Sequence, residues 1–206
     1  MQPIFSRNVD VDKIAFLNWR MSPYAEISNL LEMAEGYMVS AISLAKVCLN
    51  DNSHKQADIL IFPMVTNINH GIELYLKGMI WTLNKIMETD GRIEQGHNIR
   101  QLLSTVRSKI AQYNGRISLK GFDEEVGELI GYVNELYTRI GATDKKDRLD
   151  FSRYPFDTKY EFHFYVTEMG NVEIDLENFV LRFESIFRKL HDLSSFLYHQ
   201  ELLKDW

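Results

Sequence analysis

The densest basic stretch of this chain, Lys145-Lys146 with Arg148 and Arg153, runs into Tyr154, Tyr160 and His163. Those residue types suit a phosphate-bearing ligand. A guanidinium offers two parallel N–H donors to phosphate oxygens, a tyrosine ring stacks on a base, and an imidazole moves protons near neutral pH. The competing reading is local. Arg153 can pair with Asp150 or Asp157 and pin a solvated loop.

A second cluster precedes it in the chain. His70 and Glu73 stand one helical turn apart, beside Asn67 and Asn69, inside an apolar segment. That pattern fits a hydrogen-bonded network within a bundle, a solvated face, or the polar wall of a pocket. Arg92-Ile-Glu-Gln-Gly-His97 adds an arginine and a histidine in a connecting loop, where His97 also fits as a residue packing at a helix start. Glu94 and His97 form a lone Glu-x-x-His, whereas a carboxylate-bridged metal pair in a bundle draws on two copies, so no metal is expected. The chain has no Walker loop, Rossmann glycine pattern, zinc-ligand spacing or serine-triad signature, and no cofactor is expected.

Helices must position these residues. Only four prolines interrupt 206 residues, and apolar side chains recur at spacings of three and four over most of the length. Ile27, Leu30, Leu31, Ala34, Met38, Ala41, Ala45 and Cys48 predict a first helix over 23–49, with Ser22 as cap and Pro23 at its first position. Ile68, Ile72, Tyr75, Leu76, Met79, Leu83 and Ile86 predict a second, from about 55 to 89, with a kink or a delayed start at Pro63. Glu73 and Lys77 form an i,i+4 pair on it, in the favourable order. Third and fourth helices are expected over about 98–113 and 122–140, the latter closed by Gly141.

Residues 141–158 are charged and aperiodic, a loop of a length that is often functional or disordered. Tyr160, Phe162, Phe164 and Val166 then alternate with Glu161, His163 and Tyr165, and Met169-Gly170-Asn171 is turn-like, which predicts a small β-hairpin over 160–174. Asp175 caps a last helix with the stripe Leu176, Phe179, Val180, Phe183, Ile186, Phe187, Leu190, Leu193 and Leu197. The expected fold is therefore all-α: one domain over 1–206, an up-and-down bundle of about five helices with a hairpin before the last, and an irregular arm at 1–21.

Composition bounds the function. A formal net charge of −6 argues against binding long nucleic acid through a broad basic surface. The single cysteine, in an apolar stripe, leaves no disulfide framework, and a reducing cytoplasm is expected. The residues Met1 to Asp10 lack the apolar core of a signal peptide, and the apolar run Ile59 to Val65 is too short to span a bilayer, so no membrane association is expected.

The segment Asn67-Ile-Asn-His-Gly-Ile-Glu-Leu-Tyr-Leu-Lys77-Gly-Met-Ile resembles the second helix of HEPN-domain proteins, with its Glu-x-x-x-Lys and aliphatic run. Gly96-His97-Asn98-Ile99 followed by Leu102-Leu103 resembles the Gly-His element of that family, and Arg153-Tyr154-Pro155 its Arg-Tyr-Pro segment before the final helix. Together the three features span roughly residues 55–200. The resemblance implies a helical bundle that often dimerises. It also implies either a non-catalytic module binding a nucleotide, RNA or partner protein, in a prokaryotic defence or toxin–antitoxin setting, or a metal-independent endoribonuclease. Catalytic members carry Arg, four to six residues, then His near the last core helix. In this chain no histidine stands at that separation after Arg148 or Arg153, and the one match, Arg92 to His97, lies before the third helix. The non-catalytic reading is preferred on that ground.

Overall fold

The computed structural model describes residues 3–89, 93–141 and 149–204. Among them are seven α-helices and no strand: α1 (Glu26–Asn50), α2 (Ala57–Ile86), α3 (Ile99–Gln112), α4 (Leu119–Glu125), α5 (Gly127–Arg139), α6 (Phe164–Thr167) and α7 (Leu176–Ser195). A π-helical segment, Phe196–Leu202, continues α7, and 3-10 turns occupy Val11–Lys13 and Leu149–Ser152.

The axis of the molecule is α2. It packs along α1 and against α3, α7 and the π segment, so every residue from Gly71 to Ile80 is buried. A stripe-forming helix has one apolar face, whereas one wrapped on all sides is buried all round. Each fully buried aliphatic or aromatic side chain here, such as Ile68, Ile72, Tyr75 and Met79, contributes about 1.5–3 kcal/mol. The same enclosure takes Glu73 and Lys77 out of water. Two glycines let α1 lie close. A Cβ on Gly71 would stand 2.7 Å from Met38 Cγ and 3.1 Å from the Ala34 carbonyl oxygen, and one on Gly78 2.7 Å from Leu31 Cδ2.

Several boundaries differ from the sequence reading. Ser22 does not cap α1: Asn29 reaches back instead, its Nδ2 donating to the Ser22 carbonyl at 2.7 Å and its Oδ1 accepting from the Ser22 N–H at 2.9 Å. Nor does Pro63 delay α2, which starts at Ala57, where the Asn52 side chain accepts the Ala57 N–H at 3.0 Å. A proline inside a helix costs about 3 kcal/mol, which the run of buried side chains from Met64 onward outweighs. The expected fourth helix is two, α4 and α5, meeting at Val126. Gly141, at φ +59°, ends α5 as expected, its N–H donating to Thr138 at 3.3 Å.

The β-hairpin is absent among the described residues. A single antiparallel bridge joins Phe156 to Phe162, and Phe164–Thr167 forms one helical turn. The alternation reflects an extended segment lying on the bundle, with His163 turned inward and Phe162 and Val166 outward, and no second strand to pair it. Asp157 organises this loop by accepting the Lys159 and Glu161 N–H groups at 2.8 and 3.1 Å. At the last helix the expectation holds: Asp175 caps α7 by accepting the Asn178 N–H at 3.0 Å. Phe179, Phe183, Ile186, Leu190 and Leu193 are buried within the chain.

Candidate functional site

Four stretches of chain converge beside α2. On α2 itself Thr66, Asn69, His70, Glu73 and Lys77 follow one another at helical spacing, a polar stripe on the apolar axis. They line, with Tyr37 of α1, His97 before α3, and Leu149, Ser152 and Arg153, a cavity of about 260 Å³, Lys77 standing behind it on Glu73.

Glu73 organises the floor. Its Oε1 accepts from Lys77 Nζ at 2.9 Å and from His97 Nδ1 at 2.9 Å, while His70 Nδ1 stands 3.7 Å from Oε2. Burial alone pushes this carboxyl up; contacts with His70, Lys77 and His97 and the Lys77 charge outweigh it and hold the group at about 2. An ionised carboxylate only accepts, so His97 Nδ1 is the donor in this contact. The His97 side chain is 78% exposed and so sits at the rim. Gly96, at φ +89°, turns the chain just before it, and Asn98 caps α3 just after by accepting the Gln101 N–H at 3.0 Å.

Asn69 completes the floor at 6% exposure. Burial drives the Tyr132 phenol well above its ordinary range, so Tyr132 stays a donor, and it gives its proton to Asn69 Oδ1 at 2.6 Å. The Asn69 Nδ2 is consequently turned away from Tyr132, and it has no partner among the described residues. A buried donor left open costs about 1–3 kcal/mol. The Tyr37 ring meets His70 edge-on at 4.4 Å and fixes the imidazole from the other side.

Arg153 reaches the rim from the 3-10 turn. The Thr66 hydroxyl stands 2.8 Å from Ser152 Oγ and ties that turn to α2, and the Arg153 N–H donates to the Asp150 carbonyl at 2.8 Å. The guanidinium makes no ion pair among the described residues: Asp150 faces His163, and Asp157 is committed to its own loop. Neither carboxylate pins it.

The structure thus brings Arg153, His70, Glu73 and His97 to one cavity and separates others from it. Tyr154 and Tyr160 are exposed and do not line it. His163, expected on the functional surface, is 2% exposed, with Nε2 3.8 Å from Asp150 Oδ1. Arg92, Arg148, Lys145 and Lys146 lie outside the described residues. Tyr37, Thr66, Leu149 and Ser152 escaped the sequence reading, although Thr66 shares the stripe spacing of Asn69, His70 and Glu73.

Among the described residues no group of three or more His, Cys, Asp or Glu is placed to hold a metal. No helix among them is long and apolar enough to cross a membrane. The arrangement offers N–H donors from Asn69 and Arg153 and two imidazoles, around one carboxylate already neutralised by Lys77. That set suits an anion. In comparisons with family models, curated proteins and solved structures, none matches this chain.

Proposed function

We propose that this chain is a HEPN-like, non-catalytic module that holds a phosphate of a nucleotide or RNA in the cavity beside α2. The observation that carries it is the convergence of Arg153, His70, His97 and the unpartnered Asn69 amide on one cavity, from segments far apart in sequence. The family resemblance, with its defence or toxin–antitoxin setting, belongs to the same proposal. Calorimetric titration with AMP and with a short RNA, at two salt concentrations, tests it. Losing one charge-assisted contact costs about 1.5–3 kcal/mol, so Arg153→Ala should bind roughly 10–150-fold more weakly while melting like the wild type. Equal binding by both proteins, or binding by neither, contradicts the proposal.

One observation favours a second reading, a metal-independent endoribonuclease. His97 and Arg153 share the cavity despite their distance in the chain, and the Glu73 bond occupies His97 Nδ1, so Nε2 is the ring nitrogen that can meet a substrate. Such an enzyme cleaves RNA in the presence of EDTA and loses that activity in His97→Ala. Intact RNA after prolonged incubation removes this reading and leaves the first.

The proposal includes a homodimer. The surface that supports it is not α7, whose apolar face is used within the chain, but the N-terminal arm. Nine large apolar side chains between Ile4 and Tyr24 are exposed, Trp19 at 80%, and no residue from 3 to 24 is buried. Such a concentration of exposed apolar surface marks an interaction site.

A further inference from the structure

Resting on the phosphate-binding reading, we infer that the cavity takes a terminal phosphate, a phosphomonoester, in preference to a diester link inside a strand. The shape comes first. Asn69, Glu73 and Ser152 line the cavity and are each buried, whereas His97 and Arg153 line it and are exposed, so it has a floor and a rim. A strand passing through needs a groove open at both ends; a chain end needs only a floor. At about 260 Å³ the cavity is also small, below the roughly 300–1,000 Å³ of sites that enclose a drug-sized ligand. It has room for a phosphate and an adjoining sugar.

Donor placement points the same way. The floor holds a donor with no acceptor among the described residues, Asn69 Nδ2, more than nine-tenths buried. An internal diester presents two non-bridging oxygens, and its two ester oxygens lead the strand away on both sides. A monoester has three terminal oxygens on one face, so one can reach the Asn69 amide while the others meet the Arg153 fork and an imidazole at the rim. Charge agrees. Glu73 and Lys77 neutralise one another at 2.9 Å, which leaves Arg153 as the fixed charge among the described lining residues. A dianionic monoester is drawn to that guanidinium more strongly than a singly charged diester. A chain of net charge −6 is also poorly suited to gathering affinity from many phosphates along a strand.

The experiment uses the full chain and two ligand pairs: AMP against 3′,5′-cyclic AMP, and one short RNA with a 5′-phosphate against the same RNA with a 5′-hydroxyl. The expected result is a preference of about tenfold or more for the monoester in at least one pair, the size of one charge-assisted hydrogen bond. A preference confined to AMP identifies a free nucleotide as the source, and one that extends to the RNA identifies a 5′ end. Asn69→Asp keeps an acceptor for Tyr132 but removes the floor donor, and it should abolish the preference. Arg153→Gln, at the exposed rim where the fold is not at stake, should weaken monoester binding by about tenfold. If the members of both pairs bind alike, the terminal-phosphate inference is overturned while phosphate binding stands. If none of the four binds, both fall together.

Discussion

Nδ1 of His97 and Oε1 of Glu73 meet at 2.9 Å, joining the loop before α3 to the middle of the buried helix α2. The same oxygen accepts from Lys77, which is 8% exposed, so the carboxylate serves a stability role and a positioning role at once. The two roles separate by mutation. Removing one member of a buried ion pair strands the other charge, so Glu73→Ala should lower unfolding free energy by about 3–5 kcal/mol. His97 is mostly exposed, and His97→Ala should cost less than about 1 kcal/mol. Urea denaturation of both variants checks the contrast. Equal losses would show that Lys77 does not depend on Glu73 for its burial.

Acid should act through the same residue. The Glu73 carboxyl is held at about 2 in the folded chain against an ordinary value of 4.5, so the unfolded state takes up its proton first. Its contribution is fully present above pH about 4.5 and fades as pH falls from there through about 2. Melting temperatures of wild type and Glu73→Gln between pH 2 and pH 6 should therefore differ most near pH 6 and converge on acidification. A gap that stays constant across the range counts against the pairing.

The α1–α2 contact yields a prediction at two glycines. An added methyl on Gly71 meets the Ala34 backbone as well as Met38, whereas on Gly78 it meets side chains alone, Leu31 closely and Leu30 at ordinary contact distance. Ala gains about 1 kcal/mol over Gly in a helix, and overpacking costs about 1–3 kcal/mol. Leu31 can rotate away, so Gly78→Ala should be near neutral. The carbonyl at Ala34 cannot move without its helix, so Gly71→Ala should be destabilising. Thermal melts rank the two, and the reverse order would contradict the close approach.

Much of the scaffold was legible in the sequence. The α1, α3 and α7 stripes, the Asp175 cap and the Gly141 terminus are local signals, readable from spacing and turn chemistry. What stayed hidden depends on tertiary surroundings. The alternation of Tyr160 to Val166 has a strand's period, yet among the described residues there is no partner strand and the Phe156–Phe162 bridge stands alone. Arg153 and His97 sit far apart in the chain, and spacing rules that look for an arginine and histidine within a few residues miss a pair assembled across the fold. The polar stripe of Thr66, Asn69, His70 and Glu73 could have been recognised as one face, because its spacing is helical; which segments it faces could not.

The dimer proposal has its own check. Light scattering across micromolar concentrations should return twice the 24.2 kDa of one chain, and removing the arm through Trp19 should return the monomer mass. A monomer at every concentration would refute it.

The most direct test of the central claim reads the cavity itself. Nuclear magnetic resonance can follow the side-chain amide of Asn69 and the imidazoles of His70 and His97 while AMP is added. Saturable shifts are expected at all three residues with one common dissociation constant, weakened by about tenfold or more in Arg153→Ala. Shifts confined to other surfaces, or none at all while the protein remains folded, would contradict it.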